Sequence, residues 1–372
     1  MTADRPGGPD ASAVGERLLE RTEQLVAVPS VSRGEAALAD RVAAELSGHA
    51  HLEVTRVGDN LVARTELRRP TRVVLAGHLD TVPAAGNATP RREGGVLHGL
   101  GSADMKGGVA VLLALAELPE PASDCTFVLY AREEIDRAES GLLELEASRP
   151  DLLRADVAVL LEPTAARVEA GCQGVLKVRV VLRGRRAHVA RPWVGRNAVH
   201  RLGTLLAAVA GFGDRRPVVG GCEYRESLQA VQVSGGGASN VVPDEASALV
   251  VYRFAPDKGA DEALAVLGDL LAPTMEAGDE LALLDAAPPA PPRLDHPVLE
   301  ALVTASGHPA TAKLAWTDAA FFAERGVPAA NFGPGDPLLA HAPDEQVTAA
   351  ELAATYRALV AVLERPLAGR PA

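Results

Sequence analysis

Cysteine is scarce. Three occur in 372 residues, Cys125, Cys172 and Cys222, odd in number and far apart. That pattern argues against a disulfide framework and fits a reducing compartment, so the expected location is the cytoplasm. Aromatic residues make up only 3% of the chain, which leaves Leu, Val and Ala to fill the core. No apolar run approaches the roughly 20 residues that a membrane helix needs. The opening stretch MTADRPGGPDASAVGERLL has neither the basic nor the apolar region of a secretion signal. Positive charge is also short: 37 Lys and Arg face 49 Asp and Glu, for a formal net charge of -12. Nucleic acid and anionic membrane both require a concentrated positive surface, so neither is an expected partner. A small anionic substrate stays open, since one well-placed Arg can hold it.

Apolar residues reach 47% of the chain, enough for a large core, and its length favours two domains. Residues 1–10 read as a disordered leader. A helix is expected over 14–27, where Val14, Leu18, Leu19 and Val26 recur at helical spacing. Ser32 reads as the cap of a second helix carrying Ala37, Leu38, Val42 and Leu46. TRVVLAGHLD, CTFVLYAREE and ADVAVLLEPT are apolar runs that end abruptly in polar groups, and DMKGGVAVLLALAEL is a helix entered through glycines. Strands alternating with helices, each strand closing on a polar tip, predict an α/β sheet with its site at the strand ends. After GCQG the pattern changes. LKVRVVLRG, SLQAVQVSG and ASALVVYRF alternate apolar and polar residues, with helical periods between them. The sequence thus predicts a central catalytic domain built from 1–173 and 284–372. A smaller α+β domain over 174–283 is inserted into it, and the Pro-rich AAPPAPPRLDHP leads back out.

Five residues fall where strands run out or in the loops just beyond: His78, Asp104, Glu134, Glu162 and His341. All are zinc-compatible ligand types. Two ions about 3.5–4 Å apart need a nitrogen and a carboxylate each, with one further carboxylate shared between them. Two histidines and three acids supply that number. Taken singly, each residue has a blander reading: a lone histidine after a strand is usually no ligand, and paired acids are usually a solvated loop.

The motifs themselves are more specific than their spacing. GHLDTVP at 77–83, GLGSADMKGG at 99–108, AREE at 131–134, LEPT at 161–164 and AHAPDE at 340–345 resemble, in order, the site motifs of one family. It is the co-catalytic metallopeptidase and deacylase family, which includes succinyl-diaminopimelate desuccinylases, acetylornithine deacetylases and glutamate-releasing carboxypeptidases. The resemblance implies a two-zinc amidohydrolase, with Co2+ able to substitute. It places His78 and Glu162 on one ion, Glu134 and His341 on the other, and Asp104 between them, followed by a cis peptide. It makes Asp80 the acid that orients His78. Glu133 becomes the general base acting on a hydroxide-forming water between the ions. GRRAHVARPWVGRNAVH at 184–200 resembles the segment in which a histidine reaches into a partner's active site. His188 matches it, which implies a homodimer formed through the inserted, ferredoxin-like domain.

The substrate implied is a small N-acyl amino acid. SGGGASNVVPDEA and VVYRF resemble segments that present Asn240 and Arg253 to a substrate carboxylate, a good match for a bidentate guanidinium. NFGPGD suggests main-chain N–H groups of Gly333 and Gly335 for the same purpose, and WTD puts Thr317 on the approach. The overall texture is closest to the family's actinobacterial desuccinylase branch, which implies cleavage of N-succinyl-LL-2,6-diaminopimelate to succinate and LL-2,6-diaminopimelate. GCQG and WTDAAFF depart from the proteobacterial pattern at places that bear on carboxylate recognition. Acetylornithine deacetylation, or another deacylase or dipeptidase activity, is therefore the alternative.

Overall fold

A computed structural model of the chain describes residues 11–366; the leader expected over 1–10 lies outside them. The chain packs as two compact units. One comprises the described residues up to Ala170 together with Arg293–Thr311 and the described residues from Phe321 onward; the other is Gly171–Pro292 with Ala312–Ala320.

The first unit is built on a mixed eight-stranded sheet. Its order is Glu53–Val57, Asn60–Arg64, Asp124–Tyr130, Arg72–His78, Val157–Leu160, Ala329–Asn331, Glu169–Ala170 and Thr311–Ala312. Arg72–His78 lies parallel to both of its neighbours, Asp124–Tyr130 and Val157–Leu160. Parallel strands covered on both faces read as continuous apolar runs, and all three are buried along nearly their whole length. The helix Gly107–Ala116 is buried at every residue. It packs between the helices Ala11–Val26 and Ala349–Leu363 and against the strand Arg72–His78. Two glycines allow that approach. A Cβ on Gly108 would stand 2.3 Å from the Leu161 carbonyl oxygen, and one on Gly77 would stand 2.8 Å from Met105 Cε.

Ser32 does not cap the second helix. That helix runs Ala36–Ser47 with Glu35 at the cap position, and the Ser32 hydroxyl donates instead to the Asp80 carboxylate at 2.7 Å. The difference is one of position: the helix begins beyond Ser32, whose N–H and hydroxyl are both spent on the Asp80–Thr81 segment.

The second unit holds a four-stranded antiparallel sheet in the order Ser227–Gly235, Glu245–Phe254, Gly174–Arg183, Glu280–Ala287. With the helices Ala198–Ala210 and Ala260–Leu271 the chain runs βαββαβ, the ferredoxin-like arrangement. Period-two burial puts Ala246, Ala248, Val250, Tyr252 and Phe254 inward against the core that also holds Leu202, Leu205 and Leu267. The strand Glu280–Ala287 runs through residue 283, where the sequence suggested that the chain leaves this unit. Among the described residues, no helix is long and apolar enough to cross a membrane.

Candidate active site

Register brings the site together. His78 pairs with Tyr130, and Ala76 with Leu160, across the three parallel strands. The strands therefore end side by side, and the residues just beyond them, Glu133–Glu134 and Glu162, flank His78. Asp104 arrives from the turn Ser102–Lys106, which enters the buried helix after Gly101 at a φ of 80°. The peptide after Asp104 is cis. His341 comes from an exposed loop and itself holds a left-handed φ of 64°.

Asp104 stands between the two imidazoles. Its Oδ1 lies 3.1 Å from His78 Nε2 and its Oδ2 lies 3.4 Å from His341 Nε2. His341 Nε2 is also 2.9 Å from Glu134 Oε1. Donor atoms of His78, Asp104 and Glu162 lie within 4.8 Å of one another, as do those of Asp104, Glu134 and His341. A third group, His78 with Glu133 and Glu134, brings Glu133 into the same space. The charges respond to this crowding. Burial works against a charged His78, but the hydrogen bond and charge of Asp104 outweigh it and hold the imidazole well above its ordinary range. Asp104 and Glu134 push His341 up to about 10. Burial raises the Asp104 carboxyl, yet its hydrogen bonds to the two imidazoles win and hold it far below the usual carboxylate range.

This donor set fits a pair of divalent cations. His78 Nδ1 is 3.0 Å from the Asp80 main-chain oxygen, which can only accept, so Nδ1 carries the proton and Nε2 is the atom turned to the cluster. Each candidate site offers one imidazole nitrogen and one carboxylate of its own and shares Asp104. Three-donor N/O sets of this kind, which leave a further position open, suit zinc and its neighbours in the transition series.

The Asp80 carboxylate, expected to orient His78, is bonded elsewhere, and it is the Asp80 main-chain oxygen that meets the imidazole. The carboxylate is 3.6 Å from His78 Nδ1, farther than the main-chain oxygen. What the carboxylate accepts at hydrogen-bond distance is the Glu133 N–H at 3.0 Å, the Glu134 N–H at 3.1 Å and the Ser32 hydroxyl at 2.7 Å. Beside it, buried Glu35 accepts the Arg132 N–H at 3.1 Å. Glu345 is buried too, and its Oε1 accepts the N–H groups of Ala103 and Asp104, each at 3.0 Å; burial pushes its carboxyl up to about 7. Sequence reasoning missed Glu35 and Glu345. The only signal was an acid directly before a helix in one case and the last letter of AHAPDE in the other.

Of the residues expected to meet a substrate carboxylate, Gly333 has its N–H bonded within the protein. Its N–H donates to Thr164 Oγ1 at 3.0 Å, and its carbonyl accepts the Thr164 hydroxyl and the Ala166 N–H. A Cβ there would lie 2.3 Å from the Leu161 oxygen, so this glycine serves close packing. Gly335 has a φ of 89° and packs on Ala103. Within the second unit, His188 is exposed on the short strand Ala187–His188 and pairs with Val241. Asn240 is exposed next to it, its carbonyl accepting the Val189 N–H at 3.1 Å. Arg253 is half-buried at a cavity of about 650 Å³ lined also by Gln173, Phe212 and Gln229. No ion pair holds it among the described residues, and burial pulls its guanidinium below its ordinary value. Thr317 is buried, and its carbonyl lies 3.6 Å from Cys172 Sγ.

The sequence pattern of Peptidase family M20/M25/M40 matches residues 74–365. A Mycobacterium tuberculosis protein provisionally described as a succinyl-diaminopimelate desuccinylase is 49% identical over 354 residues, covering 94% of this chain and 98% of its own. The succinyl-diaminopimelate desuccinylase of Corynebacterium glutamicum is 40% identical over 332 residues, covering 87% and 90%. In fold, the chain resembles a Staphylococcus aureus tripeptidase with a TM-score of 0.76 at 18% identity, covering 94% of this chain and 98% of that one. It also resembles a dinuclear metal-binding peptidase of the M20 family from Bacillus subtilis, with a TM-score of 0.68 at 16% identity, covering 95% and 99%.

The hydrogen bonds of Asp80 lead to a prediction. Asp80→Ala strips the acceptor from the Glu133 and Glu134 N–H groups and should lower kcat about 10–100-fold, with the chain still folded. Ser32→Ala, which removes one donor and leaves both acceptors, should cost much less. Steady-state kinetics with thermal unfolding as a control checks both; an Asp80→Ala enzyme as fast as wild type would show that these N–H bonds position nothing.

Proposed function

The chain belongs to Peptidase family M20/M25/M40, and on that premise we propose that it hydrolyses N-succinyl-LL-2,6-diaminopimelate to succinate and LL-2,6-diaminopimelate. Full-length likeness at 49% and 40% identity to chains described as desuccinylases carries the substrate assignment. The chemistry is carried by one observation: two imidazoles and three carboxylates converging around Asp104. We assign His78 and Glu162 to one zinc ion, Glu134 and His341 to the other, and Asp104 to both. Divalent cations bound there supply Lewis acidity, polarising the scissile carbonyl and acidifying water at neutral pH.

The protein's own groups do the rest. Asp80 holds the Glu133 and Glu134 backbone, so that two adjacent glutamates keep different tasks. Glu134 is drawn to His341, 2.9 Å away, while Glu133 serves as general base. It takes a proton as the water oxygen forms its bond to the acyl carbon, and returns that proton to nitrogen as the C–N bond breaks. Asn240, Arg253 and Gly335 are the proposed carboxylate-recognising groups, with Thr317 near them in role. The resemblance of residues 184–200 supports a homodimer in which His188 donates to the developing oxyanion of the partner's site. Three buried free cysteines support a reducing cytoplasm as its location.

Three outcomes are expected. The zinc-loaded enzyme should turn over N-succinyl-diaminopimelate faster than N-acetylornithine; the reverse order would move the assignment to the deacetylases. Glu133→Gln should lose kcat by about 10²–10⁴-fold with metal content unchanged, and loss of metal in that variant would mean that Glu133 is a ligand. Mixing inactive His188→Ala subunits with inactive Glu133→Gln subunits should restore part of the activity. No recovery after subunit exchange shown by mass-tagged chains would count against a shared site.

A further inference from the structure

The loop that carries His341 has no buried residue between Gly335 and Glu345. A segment without a buried residue is a poor mount for a group that must sit within a few tenths of an ångström of a neighbour. Both ends of the loop, however, rest on the same residue. Gly335 packs against Ala103, where a Cβ would come within 2.7 Å of the Ala103 Cβ. Glu345, the first buried residue after His341, turns its carboxylate inward so that Oε1 accepts the N–H of Ala103 and the N–H of Asp104 at 3.0 Å each. Its main chain is tied down as well. The Glu345 carbonyl accepts the Gly99 N–H at 3.0 Å, and its N–H donates to Ala342 at 3.1 Å. Between these ends the Asn87 amide donates to the Ala342 carbonyl at 3.1 Å.

Glu345 therefore joins the two backbone segments whose side chains meet at the outer half of the site. One segment presents Asp104 and the other presents His341, whose Nε2 is 3.4 Å from Asp104 Oδ2. The far end of the Asp104 turn is fixed separately, through buried Lys106, whose Nζ donates to the Val28 carbonyl at 2.8 Å. His78, by contrast, is the last residue of a buried parallel strand, and Glu162 stands just beyond another. We infer that Glu345 is a positioning residue that sets the Asp104–His341 spacing, and hence the affinity of the metal site formed by Asp104, Glu134 and His341, while leaving the His78–Glu162 side nearly untouched. The inference rests on the two-metal reading above. A carboxylate is suited to the task because one of its oxygens accepts two successive N–H groups, which a shorter or apolar side chain cannot do.

The test is a zinc titration of metal-stripped, full-length enzyme by calorimetry, repeated with cobalt and followed by visible absorption. Wild type should bind two ions. In Glu345→Ala one site should keep its affinity within severalfold and the other should weaken about 10–100-fold, with kcat lowered at fixed zinc and KM unchanged. Glu345→Gln should stay close to wild type, because its amide oxygen still accepts both N–H groups. Glu345→Asp, which keeps the charge but draws the acceptor back by one methylene, should weaken the same site as Glu345→Ala and serves if the alanine variant does not fold. Two unweakened sites in Glu345→Asp, equal weakening of both sites, or a Gln variant as damaged as the Ala variant overturns the inference alone. Fewer than two sites in the wild-type enzyme overturns the two-metal reading, and this inference with it.

Discussion

One carboxylate shared by two imidazoles governs this molecule. Asp104 lies between His78 and His341, with Glu134 and Glu162 closing the ring. Several acids cannot collect in a partly buried space without positive charge to balance them. The surrounding architecture is consistent with holding that balance. Three parallel strands stop in register, a buried helix begins just past Asp104, and three further buried acids are spent on main-chain N–H groups. Asp80, Glu35 and Glu345 each accept from a loop that carries a site residue. The geometry of the centre is set by hydrogen bonds one step removed from it.

Much of this was legible in the sequence because burial writes plainly. A strand covered on both faces must be apolar throughout, so RVVLA, TFVLY and VAVLL announce where they begin and, by their sudden polar ends, where chemistry starts. The second unit was legible for the complementary reason, since a sheet with one covered face alternates. The hairpin Glu53–Arg64 was not singled out: its two strands of five residues are short and only the second is well buried. A sequence shows that a glycine such as Gly333 permits close approach, and does not show which neighbour has already taken its N–H. Glu345 and Glu35 were out of reach for a related reason. Each acts on backbone donors brought near by the fold, in the case of Glu345 more than two hundred positions away.

Reaction and substrate rest on different kinds of information. A metal centre needs particular donor types in a particular order, and five short motifs carry that. Choosing between acyl amino acids needs the shape and charge of a pocket, which side chains set on unlike elements make together. Identity along the full length speaks to that choice more directly than any one distance does.

The two imidazoles differ sharply in their access to solvent. His78 is 1% exposed, whereas the His341 side chain is 49% exposed. The centre therefore has a front and a back. A reagent arriving from water, whether a chelator or an imidazole-acylating agent, meets His341 far more readily than His78. On the proposed two-metal reading, exchange with the surroundings should be faster on the His341 side and slower on the His78 side.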